Sequence, residues 1–260
     1  MAGARAESTV RAARASAALE GAELPLDQVR RLVGVRPVAA QGDAVGPPST
    51  WSPVERTVLA ALRVTAASAE IGTILSTAPA QAFAKLHLAA AADQAAASTA
   101  SAELGRPRPL GVAPCDLVDL GLALSGPELA ARLDALGRLI LQPTEAPVLV
   151  LAAVVQGELL TLRPFVSANG LVARAVARAL VVGRGLDPTG VAVPEVGLLS
   201  GGPASYVTMA SAYSSGTSRG LAAWIQHCAA AVEVGAREGV LVADAVLAGR
   251  LEPDVTSESV

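Results

Sequence analysis

The chain is 260 residues long, 52% hydrophobic, 17% charged and 2% aromatic, with a formal net charge of −3. An acidic balance and six aromatic residues argue against nucleic-acid binding, which needs a basic face and stacking surface, and two cysteines cannot form a disulfide framework, so a reducing, cytoplasmic setting is expected. The mean hydropathy of +0.48 invites a membrane reading, yet the longest apolar run, residues 146–155, is roughly half the ~20 residues of a spanning helix. The next run, 171–182, carries Arg174 and Arg178, and the arginine-studded N-terminus lacks the apolar core of a secretory signal, so no membrane partner is expected.

Alanine, leucine and arginine are good helix formers, and apolar residues mostly recur at three and four positions rather than alternating. The pattern predicts a first helix over residues 8–19, ending at Gly21, and a short second one over 26–33. Residues 34–53, rich in glycine and proline, read as a long loop. Ser52, Pro53 and Glu55 have capping-box spacing with proline at the first helical position, opening a helix to about residue 75. A helix over 79–97 carries His87. Residues 104–124, interrupted by Pro107, Pro109 and Pro114, read as irregular or as a short hairpin. Ser125 and Glu128 repeat the capping-box spacing ahead of a helix to about residue 141. Residues 145–162 form a nearly all-apolar helix that belongs at the centre of the fold. A turn over 164–170 leads into a helix over 171–183, followed by helices over 204–214 and 218–248. The expectation is one all-α domain spanning residues 1–250, with a flexible tail over 251–260.

The informative stretch is Leu162-Arg163-Pro164-Phe165-Val166-Ser167-Ala168-Asn169-Gly170-Leu171-Val172-Ala173-Arg174, which holds the only asparagine of the chain. An Asn-Gly turn just before a helix aims unpaired backbone N–H groups outward, and the helix dipole adds positive potential. Asn169, Gly170 and Arg174 therefore read as an anion site, with the guanidinium as a fork for phosphate or carboxylate. The plain alternative is an ordinary glycine turn with an arginine on the helix surface.

This stretch resembles the signature of Fic (Fido-domain) proteins, His-Pro-Phe-x-(Asp/Glu)-Gly-Asn-Gly-Arg-x-x-Arg. Pro164, Phe165, Asn169, Gly170 and Arg174 fall on matching positions, whereas Arg163 replaces the histidine, Ser167 the acidic residue, Ala168 the first glycine and Leu171 the first arginine. Ser16-Ala17-Ala18-Leu19-Glu20-Gly21 resembles the N-terminal inhibitory motif of one subclass, (Ser/Thr)-x-x-x-Glu-(Gly/Asn), and Leu24, Pro25, Leu26 and Val29 continue that resemblance. Lys85-Leu86-His87 with Gly105-Arg106 is similar to the helix leading to the flap, and Tyr206, Tyr213 and Trp224-Ile225 to the helices after the catalytic loop.

The resemblance implies a Fic-type helical bundle with a short irregular or hairpin flap. Its members typically transfer AMP from ATP to hydroxyls of a target protein; the histidine is the general base, the acidic residue holds Mg²⁺, and the turn and two arginines hold the phosphates. Transferred residue by residue, this leaves the chain without a competent base, because the Arg163 guanidinium is already protonated and accepts no proton at neutral pH. Ser167 is a poor ligand for a hard cation, so Mg²⁺ is not expected, and Leu171 removes a phosphate-facing charge. What remains for ATP or another nucleotide is Asn169, Gly170 and Arg174. The resemblance also implies an ion pair between Glu20 and Arg174, either as a retained inhibitory contact or as a structural one.

The expected function is therefore that of a catalytically impaired Fic-fold protein acting through binding, with a protein target or a second copy as partner. The alternatives are a transferase or phosphate-ligand enzyme with non-standard chemistry at the same loop, and a helical interaction protein with no ligand. His87 and His227 read as core histidines, and Cys115 and Cys228 lack the spacing of a metal site. Lys85 is the only lysine, and Arg132, Arg138, Arg178 and Arg184 read as solvated helix faces.

Overall fold

A computed structural model describes residues 1–33, 51–95 and 103–251 of the protein. Among them are twelve α-helices and no strand: α1 Ala2–Leu19, α2 Leu26–Val33, α3 Pro53–Ser68, α4 Gly72–Leu75, α5 Pro79–Ala90, α6 Ala92–Ala95, α7 Gly126–Leu141, α8 Val148–Leu162, α9 Asn169–Gly183, α10 Pro194–Leu199, α11 Gly202–Ser214 and α12 Ser218–Leu247. No helix of the described residues is long and apolar enough to cross a membrane.

The hub is α9, in which every residue from Asn169 to Val181 is buried. It lies against α8 and is flanked by α3, α5, α4 and α1, while α12 packs along α10, α11, α8 and α1. Helix α8, apolar on nearly every face, fits its place between α9, α11, α12 and α7. Small residues allow the tightest of these contacts. A Cβ at Gly235 of α12 would come within 2.5 Å of the Pro194 backbone nitrogen, and the Gly235 carbonyl accepts the Val193 N–H at 2.9 Å.

Helix α1 buries alanines almost continuously, with Ala12, Ala13 and Ala17 at 0% exposure. It packs on α3, α10 and α12. Its end is a Schellman turn: Gly21 takes φ +80, its N–H bonds to the Ala18 carbonyl, and the Ala22 N–H reaches Ala17. Glu20 is thus the C-cap residue, and Ser16 lies one turn before it on the same face.

Several sequence expectations are revised. Helix α1 starts at Ala2, not residue 8. The helix opened by Ser52 stops at Ser68, and residues 72–75 form the separate α4. Its capping box is formed, with Ser52 N–H donating to Glu55 and Glu55 N–H to the Ser52 hydroxyl. The third long helix ends at Ala90, followed by the short α6. Over 104–124 the chain takes the irregular of the two expected forms, with a 3-10 turn at Val118–Leu120. Ser125 makes no side-chain cap, because Gly126 (φ +56) turns the chain away from helical geometry at the point where a capping hydroxyl would have to reach forward. Helix α8 begins at Val148 after Pro147, not at residue 145. The six-residue α10 has no counterpart in the predicted elements, since its Pro-Glu-Val-Gly-Leu-Leu sequence is too short to show a period. The loop over 34–50, the end of the third helix at 96–97 and the tail over 252–260 lie outside the described residues.

Candidate functional site

Two helix ends and one irregular segment converge at the start of α9. Ser16 and Glu20, stacked on the inner face of α1, both engage Arg174, which lies one turn into α9. Arg174 Nε donates to the Ser16 hydroxyl at 2.7 Å, and Nη2 donates to the Ser16 carbonyl at 3.0 Å and to Glu20 Oε1 at 2.5 Å. The guanidinium is buried over the Tyr206 ring, 5.6 Å from its centroid, and Tyr206 in turn accepts from Gln156. Burial lowers the Arg174 pKa, but the Glu20 charge, Tyr206 and the hydrogen bonds outweigh it and hold the guanidinium charged. Nη1 has no hydrogen-bond partner and faces Gly170, where a Cβ would be 3.1 Å away. Glu20 Oε1 occupies the rest of the space above Gly170.

The loop between α8 and α9 opens and closes on left-handed residues. Arg163 (φ 43) ends α8, and Ala168 (φ 61) is the N-cap of α9. Asn169 and Gly170 are therefore the first residues of α9, not a turn before it; the reversal occurs one residue earlier. Asn169 braces the loop from within: Oδ1 accepts the Phe165 N–H and Nδ2 donates to the Phe165 carbonyl, both at 2.9 Å. Phe165 is buried and stacks on His87 at 4.0 Å between centroids.

Arg163, which stands where the resemblance places a histidine, is buried to 2% exposure. Its guanidinium turns to the irregular segment, donating from Nη1 to the Leu117 carbonyl at 2.8 Å and from Nη2 to the Gly121 carbonyl at 2.6 Å. Arg108 grips the same region in reverse, donating to the carbonyls of Arg163 (2.7 Å), Val112 (2.8 Å), Leu162 (3.2 Å) and Leu124. Backbone bonds from Arg108 N–H to Pro164 and from Cys115 N–H to Val166 complete the union of this flap with the loop.

Asp116, which no local spacing singles out, is the residue the sequence reading missed. Its Oδ2 accepts the Asn169 backbone N–H and its Oδ1 the Asn169 side-chain amide, each at 2.7 Å. It caps α9 from 53 residues away. Burial pushes the Asp116 carboxyl above its ordinary range and the Glu20 charge adds to this, while the Asn169 bonds oppose both. Of the donors expected at the α9 start, the Asn169 N–H is thus already matched by a carboxylate of the chain itself. Asn169 and Gly170 are bracketed by Asp116 and Glu20. Both Asp116 oxygens face N–H donors, and Ser167 carries a hydroxyl where the resemblance places a carboxylate.

The other candidates fall outside this cluster or serve packing. His87 is buried, accepts the Gly105 N–H at Nδ1 and is pushed down to about 4 by burial, with a bond to the Ser167 backbone opposing. His227 is half-buried beside Trp224 and Tyr206. Cys228 is buried with its thiol pushed up to about 12, an inert state, and the exposed Cys115 is also raised by burial and by Asp116. Lys85 and Arg138 are exposed, Arg132 pairs with Glu158 at 2.7 Å and Arg184 donates to the Ile140 carbonyl. Arg178 is not a solvated face: it is buried, pairs with Glu195 at 3.2 Å and donates to the carbonyls of Gly190 and Ala192, which ties α9 to α10. Leu171, where the resemblance places an arginine, is a core residue.

No family model and no curated protein matches the sequence. Solved structures do. A Fic family protein from Desulfovibrio desulfuricans G20 superimposes with a TM-score of 0.64 at 18% identity, covering 96% of this chain and 68% of that one. Fic-1 from C. elegans superimposes with a TM-score of 0.55 at 15% identity, covering 92% of this chain and 62% of that one. The chain has the all-α Fic fold.

Proposed function

We propose that this protein is a Fic-fold binding protein that has lost efficient AMP transfer and retains a nucleotide- or phosphate-sized anion cradle at Asn169, Gly170 and Arg174. The observation that carries the reading is Arg163. It stands where the resemblance places the base, and its guanidinium is spent on the Leu117 and Gly121 carbonyls. A guanidinium neither accepts a hydroxyl proton nor, in this orientation, reaches outward. Loss of a general base alone costs about 10²–10⁴ in rate, and the absent metal carboxylate and first arginine compound that.

The cradle half of the reading rests on the α9 N-terminus and on Arg174, a buried cation with one nitrogen unpaired beside Gly170. In this reading Glu20 is the stand-in anion that keeps Arg174 neutralised until a ligand or partner replaces it. The protein acts by what it binds, and a protein partner or second copy would act on this same state.

Intact-mass analysis after incubation with ATP and Mg²⁺, for the natural chain and for Glu20→Gly, tests the catalytic half. The expected result is an unchanged mass for both. An AMP adduct that vanishes on Arg174→Ala would overturn the impaired reading.

A further inference from the structure

The flap carries its own occupant for the anion cradle. Asp116 presents both oxygens to Asn169 at 2.7 Å, taking the backbone N–H at the α9 start and one of the two Asn169 side-chain N–H bonds. The other side-chain N–H is held by the Phe165 carbonyl. An incoming phosphate would need those same donors, since charge-assisted bonds to helix N-terminal N–H groups are what such a site offers an anion. Asp116 is therefore geometrically exclusive with a ligand at Asn169, just as Glu20 is at Gly170 and Arg174.

The position of Asp116 is imposed by its neighbours. The next residue, Leu117, is left-handed (φ 51), and its carbonyl receives Arg163 Nη1. The residue before it, Cys115, donates its N–H to Val166 in the loop. Among the described residues the non-glycine positions with positive φ are Leu117, Arg163 and Ala168, all within this one junction. A side chain that would be free to act as a base in a histidine version is here a clamp on the flap.

We propose that the flap is a second internal plug: Asp116 occupies the start of α9 in place of a ligand anion, and Arg163 is the positioning residue that locks it there. The proposal rests on the anion-cradle reading above and deepens it, because it gives Arg163 a task and makes the cradle doubly closed. Two plugs act in series on one ligand. Removing one leaves the binding-competent fraction low, and the measured affinity is reduced by that fraction.

The test is calorimetric titration with ADP of the natural chain, Glu20→Gly, Asp116→Asn, and the double variant, together with Arg163→Gln on the Glu20→Gly background. The natural chain and the single variants are expected to bind weakly. The double variant and the Arg163→Gln combination are expected to bind at least about tenfold tighter than Glu20→Gly alone. Equal binding by Glu20→Gly and the double variant would leave the cradle intact and overturn the plug. No binding by any folded variant would overturn the cradle reading and the plug with it. Hydrogen exchange provides a readout that does not depend on how Asp116→Asn folds. Saturating ADP on Glu20→Gly should lower protection in residues 115–121 as Asp116 is displaced, and unchanged or increased protection there would overturn the plug.

Discussion

Glu20 Oε1 fills the space in which a side chain at Gly170 would begin. The two residues are 150 positions apart in sequence, yet the absence of a Cβ on one is the condition for the other to reach Arg174. Glycine is used here for the close approach of a carboxylate, since the residue is helical and needs no special backbone angle.

The pair should therefore be coupled energetically. Gly170→Ala is expected to cost about 1–3 kcal/mol in the natural chain, the usual range for overpacking a filled site. In the Glu20→Gly background, where the obstructing carboxylate is gone, most of that cost should disappear. Urea unfolding of the four proteins of the cycle measures the coupling, and additive costs would show that Glu20 does not occupy the site.

Ala168 is held at φ 61 and ψ 20, a conformation that costs an L-residue roughly 1–2 kcal/mol. Ala168→Gly relieves that strain and is partly offset by the greater freedom of glycine in the unfolded chain. The net expectation is a gain of up to about 1 kcal/mol, read as a rise in Tm of about 2–4 °C for a protein of this size. Ala168→Val, with a branched side chain in the same backbone region, should lower Tm. A fall in Tm on Ala168→Gly would count against strain at this residue.

His87 gives the fold a pH dependence of known sign. Burial depresses its folded-state value to about 4, against roughly 6.5 when unfolded. The unfolded chain therefore takes up the proton first. Stability from the neutral imidazole is complete above about pH 6.5, falls as the pH drops through this window, and stops falling below about 4. The full swing is about 3 kcal/mol. His87→Gln keeps a hydrogen-bond acceptor near the Gly105 N–H and does not titrate. Its unfolding free energy should decline less between pH 7 and 5 than that of the natural chain. Identical declines would place the titration elsewhere.

Much of the scaffold was legible because its signals are local. The Ser52–Glu55 box, the unbroken apolar run of α8 and the Gly21 stop each depend on a few adjacent residues, and each gave a helix end within a few positions of the observed one. The start of α9 was displaced by two residues because Asn-Gly is a common turn pair, while here Asn169 is spent on the Phe165 backbone and the reversal falls on Ala168. Arg178 was misplaced because the spacing of an arginine on a helix says nothing about a partner such as Glu195 on an element too short to be predicted. Asp116 was invisible for a similar reason. Its partner is 53 positions away, and the segment that delivers it has no period to read.

The burial of α1 has a mechanical consequence. Its alanines at 12, 13 and 17 are wholly excluded from solvent, and Ser8 is tied to the Val191 carbonyl at 2.7 Å. Lifting this helix as a body would open the interior along its length, a change comparable to unfolding rather than to the swing of a lid. Glu20 sits at the very end of that rigid rod, where its own side-chain torsions are the only joints left. Whatever lifts Glu20 off Arg174 must therefore work by turning one side chain, because the rod that carries Glu20, and with it the Ser16 bonds to Arg174, is also a beam of the building.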